Sequence, residues 1–343
     1  MSDKKLNVAV IGCGIITWRH TEALQKMPEV NLYALCDTAK DDRAEKLKVK
    51  YGTPETKIVT DYKELIGDPQ IDAVIITTPD HTHCQITCDF LRDGKPVLLE
   101  KPMALKEEEC QEMLRCSKET GTMLTVGQVA RYSANFTLAK RLIDEGHIGE
   151  LTFVESEYAH DYALRTGEGD WRKSPDRHGM IGGGCHAIDL LRWIAGDPTE
   201  VQALSNHKYL TEWPVDDTCI AIYKFPNDVI GKVFCSIGVK RDYTMRTCLY
   251  GTEGTIIFES RGTEMKLYQC DKNGKMYTIP RLLPCNPKGH NMTAEISDFV
   301  DAIISGKPNP ISSIEGASTV AVCRATVKSA ELGQPVQIVY PED

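Results

Sequence analysis

The chain has 343 residues, 41% of them apolar and 26% charged, with 40 basic and 49 acidic side chains and a net charge of −9. That length and balance suggest two globular domains and argue against disorder, collagen and coiled coil. The acidity opposes non-specific attraction to nucleic acid or an anionic membrane.

No stretch of sequence approaches the length of an apolar membrane helix. The segment Met1-Ser2-Asp3-Lys4-Lys5-Leu6 runs straight into a strand pattern without a signal-peptide core, so a cytoplasmic location is expected. The 13 cysteines are scattered and form no Cys-x-x-Cys pair. They read as reduced thiols that pack as small apolar residues. Cys84 and Cys88, one helical turn apart, are read the same way, and no metal site is expected.

In chain order, a short apolar run at 8–11 reads as a strand buried on both faces, followed by a helix at 18–27. A second strand at 32–36 ends at Asp37, and a charged helix covers 41–51. Strands at 73–76, 96–99 and 123–126 then alternate with helices at 82–92 and 107–120. The third strand closes on Thr77-Thr78-Pro79 and the fourth stops at Glu100-Lys101-Pro102. Strand and helix alternating in this way imply a doubly wound parallel sheet, a dinucleotide-binding Rossmann domain over 1–125.

The pattern then changes. A helix at 134–145 and a strand at 151–158 precede a glycine-rich turn, Gly182-Gly183-Gly184, that leads into a helix at 186–195. Strands follow with hairpin-like spacing at 199–208, 217–225, 229–237, 245–250, 254–259, 264–270 and 275–280. Helices at 292–305 and 314–331 and a strand at 336–339 end the series. The expected fold is therefore α/β: the Rossmann sheet, then an α+β domain over 126–343 with a large open, mainly antiparallel sheet.

The loop after the first strand reads Gly12-Cys13-Gly14-Ile15-Ile16-Thr17. Gly12 permits a tight turn and Gly14 lets backbone approach a diphosphate at a helix N-terminus. Thr17 replaces the third glycine of the fingerprint, a change that affects helix–strand fit more than phosphate chemistry. Asp37, at the end of the second strand, can accept hydrogen bonds from the ribose hydroxyls of NAD and would repel the extra phosphate of NADP. Lys40 and Arg43 nearby are the groups that would favour NADP instead. The residue order points to NAD.

Three further clusters stand out: Thr78-Pro79-Asp80-His81-Thr82-His83, Gly94-Lys95-Pro96-Val97-Leu98-Leu99-Glu100-Lys101-Pro102, and Gly182-Gly183-Gly184-Cys185-His186-Ala187-Ile188-Asp189. With His20, with Gln128, Arg131 and Tyr132, and with Ile148-Gly149-Glu150, they make the chain resemble the Gfo/Idh/MocA oxidoreductases over essentially its whole length. That is the group of glucose–fructose oxidoreductase and inositol dehydrogenase. The resemblance implies hydride transfer between a nicotinamide and a secondary alcohol of a sugar, glycoside or cyclitol. It implies Lys101 as the group contacting the substrate hydroxyl and His186 as general acid/base. Thr78, Pro79, His83, Glu100, Lys101 and Gln128 would then line the cofactor together with Gly12, Gly14, Ile15, Ile16 and Asp37.

Elementary chemistry agrees with these roles. Oxidising CH–OH needs a base for the hydroxyl proton, and histidine titrates near working pH. At a helix N-terminus, where His186 is expected, the dipole would keep the imidazole neutral. Lys101 ends a parallel strand at the carboxyl edge, where open α/β sheets bind ligands. Arg131, Tyr158, Trp171, Arg172 and Asp189 are further candidates for sugar contacts, and Asp170, Asp176, His160 and His178 lie in the segment before the glycines.

One departure is plain: many relatives carry an aspartate four residues before the histidine, where this chain has Gly182. That leaves room for a redox-neutral lyase, epimerase or glycosidase that recycles tightly bound NAD. A non-catalytic NAD or sugar sensor is the third reading, opposed by the presence of both Lys101 and His186. A homodimer or homotetramer is expected, because the open sheet leaves a broad face to cover.

Overall fold

The computed structural model describes residues 5–39, 41–163, 171–271, 273–275, 279–286 and 289–342. Contacts divide the chain into two compact units. The first comprises residues 1–128, 292–317 and 341–343, and the second 129–291 and 318–340. A single cut at 125 would put residues 292–317 with the second part, but by contacts they belong with the first.

The first unit opens with β1 (Leu6–Ile11), α1 (Thr17–Gln25), β2 (Val30–Cys36), α2 (Arg43–Tyr51), β3 (Lys57–Val59) and β4 (Ala73–Ile76). It continues with α3 (His83–Arg92), β5 (Val97–Glu100), α4 (Glu107–Thr120) and β6 (Leu124–Gly127). The six strands form one sheet in the order β3-β2-β1-β4-β5-β6, and every pairing is parallel. The order reverses beside β1, which makes the carboxyl end of β1 and β4 the crevice where such sheets take ligands. β4 and β5 are buried along their whole length, as unbroken Val/Ile/Leu runs require when helices cover both faces.

The second unit holds α5 (Ala134–Asp144), β7 (Leu151–Ala159), a π-helical turn (Met180–Gly184), α6 (Cys185–Ala195), β8 (Glu200–Asn206), β9 (Thr218–Lys224) and β10 (Ile230–Ser236). It goes on through β11 (Arg246–Gly251), β12 (Gly254–Glu259), β13 (Glu264–Gln269) and β14 (Arg281–Pro284). The chain then forms α7 (Met292–Ser305), which packs against α1 in the first unit, and α8 (Ser313–Leu332) and β15 (Val336–Gln337). The nine strands run β14-β13-β12-β11-β7-β10-β9-β8-β15, antiparallel except for β7 beside β10.

Two expectations change here. Of the strand expected at 275–280, residues 276–278 lie outside the described set, and the partner of β13 is β14 at Arg281–Pro284. The glycine-rich segment is helical, not a turn: helical geometry begins at Gly179 and runs through the three glycines into α6.

Candidate active site

At the end of β1, Gly12 takes a φ of +94°, and a Cβ there would stand 2.8 Å from the Thr77 carbonyl carbon. Only glycine fits that turn. A Cβ at Gly14 would meet no atom within 4 Å, so the loop leaves open space over its second glycine. Ile15 beside it is 80% exposed.

Thr17, in place of the third glycine, is fully buried. Its hydroxyl donates to the Gly12 carbonyl at 2.8 Å and stands 2.9 Å from the Thr77 hydroxyl. The threonine thus braces the loop from beneath and leaves its outer side clear. With the unpaired N–H groups that begin any helix, this is a cradle that fits a diphosphate.

Asp37 closes the far side of the turn. Its carboxylate accepts the Cys13 N–H at 2.6 Å and the Ala39 N–H at 2.8 Å. It therefore shapes the loop and presents negative charge at the strand end. Arg43 lies in an ion pair with Asp41, and Lys40 falls outside the described residues. The residues present suit a ribose with free hydroxyls, as in NAD.

Further along the same edge, Thr78 and Pro79 receive hydrogen bonds from the Thr82 hydroxyl, each at 2.8 Å. His83 is fully buried. Its Nδ1 lies 3.0 Å from the Pro102 carbonyl and its Nε2 3.0 Å from the Thr78 carbonyl, so it ties the end of β4 to the segment after β5. Lys101 starts that segment and is joined to Pro102 by a cis peptide bond.

Behind Lys101, Glu100 meets His20 Nε2 at 2.9 Å and accepts the Lys101 N–H at 3.1 Å. Burial pushes the Glu100 carboxyl up, but the His20 hydrogen bond and the His20 and Lys101 charges hold it below the usual carboxylate range. Gln128 is buried at the end of the same unit.

In the second unit, His186 is buried on α6. Its ring stacks on Tyr158 with centroids 6.1 Å apart at 23°, and His290 lies 5.2 Å away. Because helical geometry starts at Gly179, His186 sits inside a helical run and not at its N-terminus. The dipole expected to keep the imidazole neutral is therefore not what sets its state.

Where the aspartate of many relatives would stand, the Arg177 guanidinium fills the space: a Cβ at Gly182 would come 2.5 Å from its Cζ. Tyr158 is held by Tyr162 (2.8 Å between hydroxyls) and by His160 Nδ1 at 3.1 Å. Burial, followed by Tyr162 and Tyr243, raises its phenol well above the usual range, so it stays a neutral donor.

Arg131 and Asp189 are both site candidates, and they are joined to one another. The guanidinium donates to both carboxylate oxygens, at 2.8 and 2.6 Å, and the Thr319 hydroxyl adds a third bond at 3.1 Å. Asp189 is fully buried. This corrects the reading of Asp189 as a substrate contact: its oxygens hold helix to helix. Trp171 lies under two guanidinium groups, Arg172 at 4.1 Å and Arg177 at 4.8 Å. Asp170 lies outside the described residues.

The sequence reading did not single out Tyr162, Tyr243 or His290, which complete the rings around Tyr158 and His160. For Tyr162 the alternation of Tyr158, His160 and Tyr162 across the end of β7 was the available signal. On α3 and α4, Cys88, Glu112 and Cys116 bring possible ligand atoms within 4.8 Å of one another. All 13 cysteines are free thiols.

A parallel sheet with this glycine turn and strand-end acid defines a dinucleotide-binding α/β protein. Residues 6–128 match the family described as the oxidoreductase family with NAD-binding Rossmann fold, and residues 136–257 match the GFO/IDH/MocA C-terminal domain. The chain belongs to the Gfo/Idh/MocA family of oxidoreductases.

It is 25% identical to myo-inositol 2-dehydrogenase of Thermotoga maritima, an alignment spanning 97% of this chain and 98% of that protein. It is 26% identical to levoglucosan dehydrogenase of Pseudarthrobacter phenanthrenivorans, over 95% of this chain and 96% of that one. A levoglucosan dehydrogenase in complex with NADH superposes with a TM-score of 0.88 at 24% identity, covering 98% of this chain and 100% of the other. That likeness is one of fold.

Proposed function

We propose that this chain is an NAD-dependent dehydrogenase acting on a secondary alcohol of a sugar, glycoside or cyclitol. The observation that carries the reading is Lys101. It lies at the carboxyl edge of the nucleotide-type sheet, and the carboxylate behind it is held ionised by His20. The relatives named inositol and levoglucosan dehydrogenases point to the same substrate class.

When bound, NAD⁺ supplies the hydride acceptor. Gly12, Gly14, Ile15 and Ile16 would hold its diphosphate and Asp37 its ribose, with Thr78, Pro79, His83, Glu100, Lys101 and Gln128 further along. The Lys101 ammonium donates to the substrate oxygen as negative charge develops there. His186 takes the hydroxyl proton at an imidazole nitrogen. The Tyr158 ring steadies that imidazole by stacking. Trp171 and Arg172 offer an apolar face and a donor to a sugar ring. Arg131 contributes through the element it locks in place.

The second unit points to self-association, and its open sheet is where two copies would meet. A cytoplasmic setting suits the free thiols.

The test is a screen for NAD⁺ reduction across sugars, glycosides, sugar acids and inositols, with NADH binding followed by fluorescence. One or a few compounds should drive NADH formation. K101A and H186A should each lower kcat/KM by about 10²- to 10⁴-fold while still binding NADH. A chain that binds NADH and oxidises none of these alcohols would sink the reading. Equal activity in K101A would remove Lys101 from the mechanism.

A further inference from the structure

Glu295 is a carboxyl that the mechanism above leaves unused. It lies on α7 among the buried Met292, Ile296, Phe299 and Val300, and is itself 2% exposed. A Cβ added at Gly127 would stand 3.4 Å from Glu295 Oε1 and 3.6 Å from Oε2, so the carboxyl rests on the end of β6. Gly127 is in register with Glu100 on β5. Among the described residues, neither carboxyl oxygen of Glu295 has a hydrogen-bond partner.

An ionised carboxylate in such a place would bury a full charge with no donor to meet it, which costs far more than burying the neutral acid. Burial drives Glu295 well above the ordinary carboxyl range; Glu100 adds to the rise and Lys101 opposes it. Glu100 is driven the other way. From β5 the groups that act on Glu295 are therefore Glu100 and Lys101, and α1 adds His20 behind Glu100. Two carboxyls of one buried cluster are pushed to opposite states, the usual mark of a divided acid–base pair.

We propose that Glu295 is a positioning residue for Lys101, the second carboxyl of a buried pair that sets the charge its amine meets. The proposal rests on the role given to Lys101 above. While Glu295 keeps its proton, Glu100, paired with His20, is the ionised carboxyl of this pair that acts on the lysine. When Glu295 ionises at alkaline pH, the added charge holds the ammonium protonated. The coupling is mutual, so removing the lysine charge must make Glu295 harder to ionise.

The full-length, cofactor-free chain labelled with ¹³C at the glutamate carboxyls tests this by NMR titration. The Glu295 signal is assigned by its loss in E295Q or, should that variant not fold, by its displacement in E295D. The carbon is expected in its protonated position at pH 7. Its titration should move down in E100Q and up in K101M, each by about 0.5 pH unit or more. In turnover, E295Q should bring the alkaline limb of kcat/KM to lower pH. A Glu295 carbon already ionised at pH 7, or one curve shared by wild type, E100Q and K101M, would overturn the proposal, as would an alkaline limb that stays in place. The titration needs no turnover, so an inactive chain would sink the dehydrogenase reading without deciding this one.

Discussion

His178 is a histidine held neutral. It is 8% exposed, and its Nδ1 accepts the Met180 N–H at 3.0 Å, just where the π-helical turn begins. Burial drives its pKa from the usual 6.5 down to about 4; Asp216 pulls upward against this and Arg324 adds to the fall. The unfolded chain therefore takes up a proton near pH 6.5 that the folded chain refuses until about pH 4. The contribution to stability is full above the upper value and is lost as pH falls through that window. Replacing His178 by glutamine, which cannot charge, should flatten the fall of Tm between pH 7 and pH 4. A variant whose Tm follows wild type over that range would show that the imidazole does not set acid sensitivity.

At this scale the legible residues were those that end a strand. Gly12, Gly14, Asp37 and Lys101 each follow an apolar run, and the carboxyl edge of a parallel sheet is where chemistry collects. Glu295 was harder, since a glutamate in a helix ordinarily faces water. Yet it shares the spacing of Met292, Ile296 and Phe299, so the 3.6-residue period already placed it on the buried stripe.

Among the elements, the strands and helices of the first unit were readable because unbroken apolar runs and amphipathic stretches differ in period. β3 was not, because it has three residues and no buried one. The π-helical turn was misread for a better reason. Glycine disfavours helix by about 1 kcal/mol, so three in a row suggest a turn. Here tertiary fit overrides propensity: a Cβ at Gly183 would come 2.7 Å from Tyr158 Cζ, and one at Gly184 2.6 Å from Met180 Sδ.

The glycines should then differ in tolerance. At Gly182 the neighbour is the far end of the Arg177 side chain, which has more torsions to give by than a ring, although it is 5% exposed and rests on Trp171. At Gly183 it is the ring of Tyr158, fixed by Tyr162 and His160 and stacked on His186. G183A should cost about 1–3 kcal/mol by overpacking and lower activity as well, while G182A should cost less. Equal losses of Tm in the two variants would mean that the ring yields as readily as the guanidinium.

For the molecule as a whole, the family follows from both matched segments, but identities near 25% leave the substrate to be found by assay. The nine-stranded sheet of the second unit carries the last consequence. At β8 and β9 one face lies under α8: Tyr223 bonds Thr326 at 2.9 Å and Ala203 bonds Ser329 at 3.0 Å. The alternate residues of β8 and β9 point the other way. There Leu204 is 68% and Ile222 55% exposed, with Ile220 opposite Leu204 in register. Adjacent exposed aliphatics on a regular sheet are unusual for a surface that stays in water, and a two-fold copy of the same face is the simplest way to cover them. Sedimentation of wild type should therefore give a dimer or tetramer at micromolar concentration. L204E/I222E, which places charge on that face without touching the covered one, should shift it toward monomer with secondary structure kept. A wild-type monomer, or a double variant that sediments unchanged, would show that this face is not where copies meet.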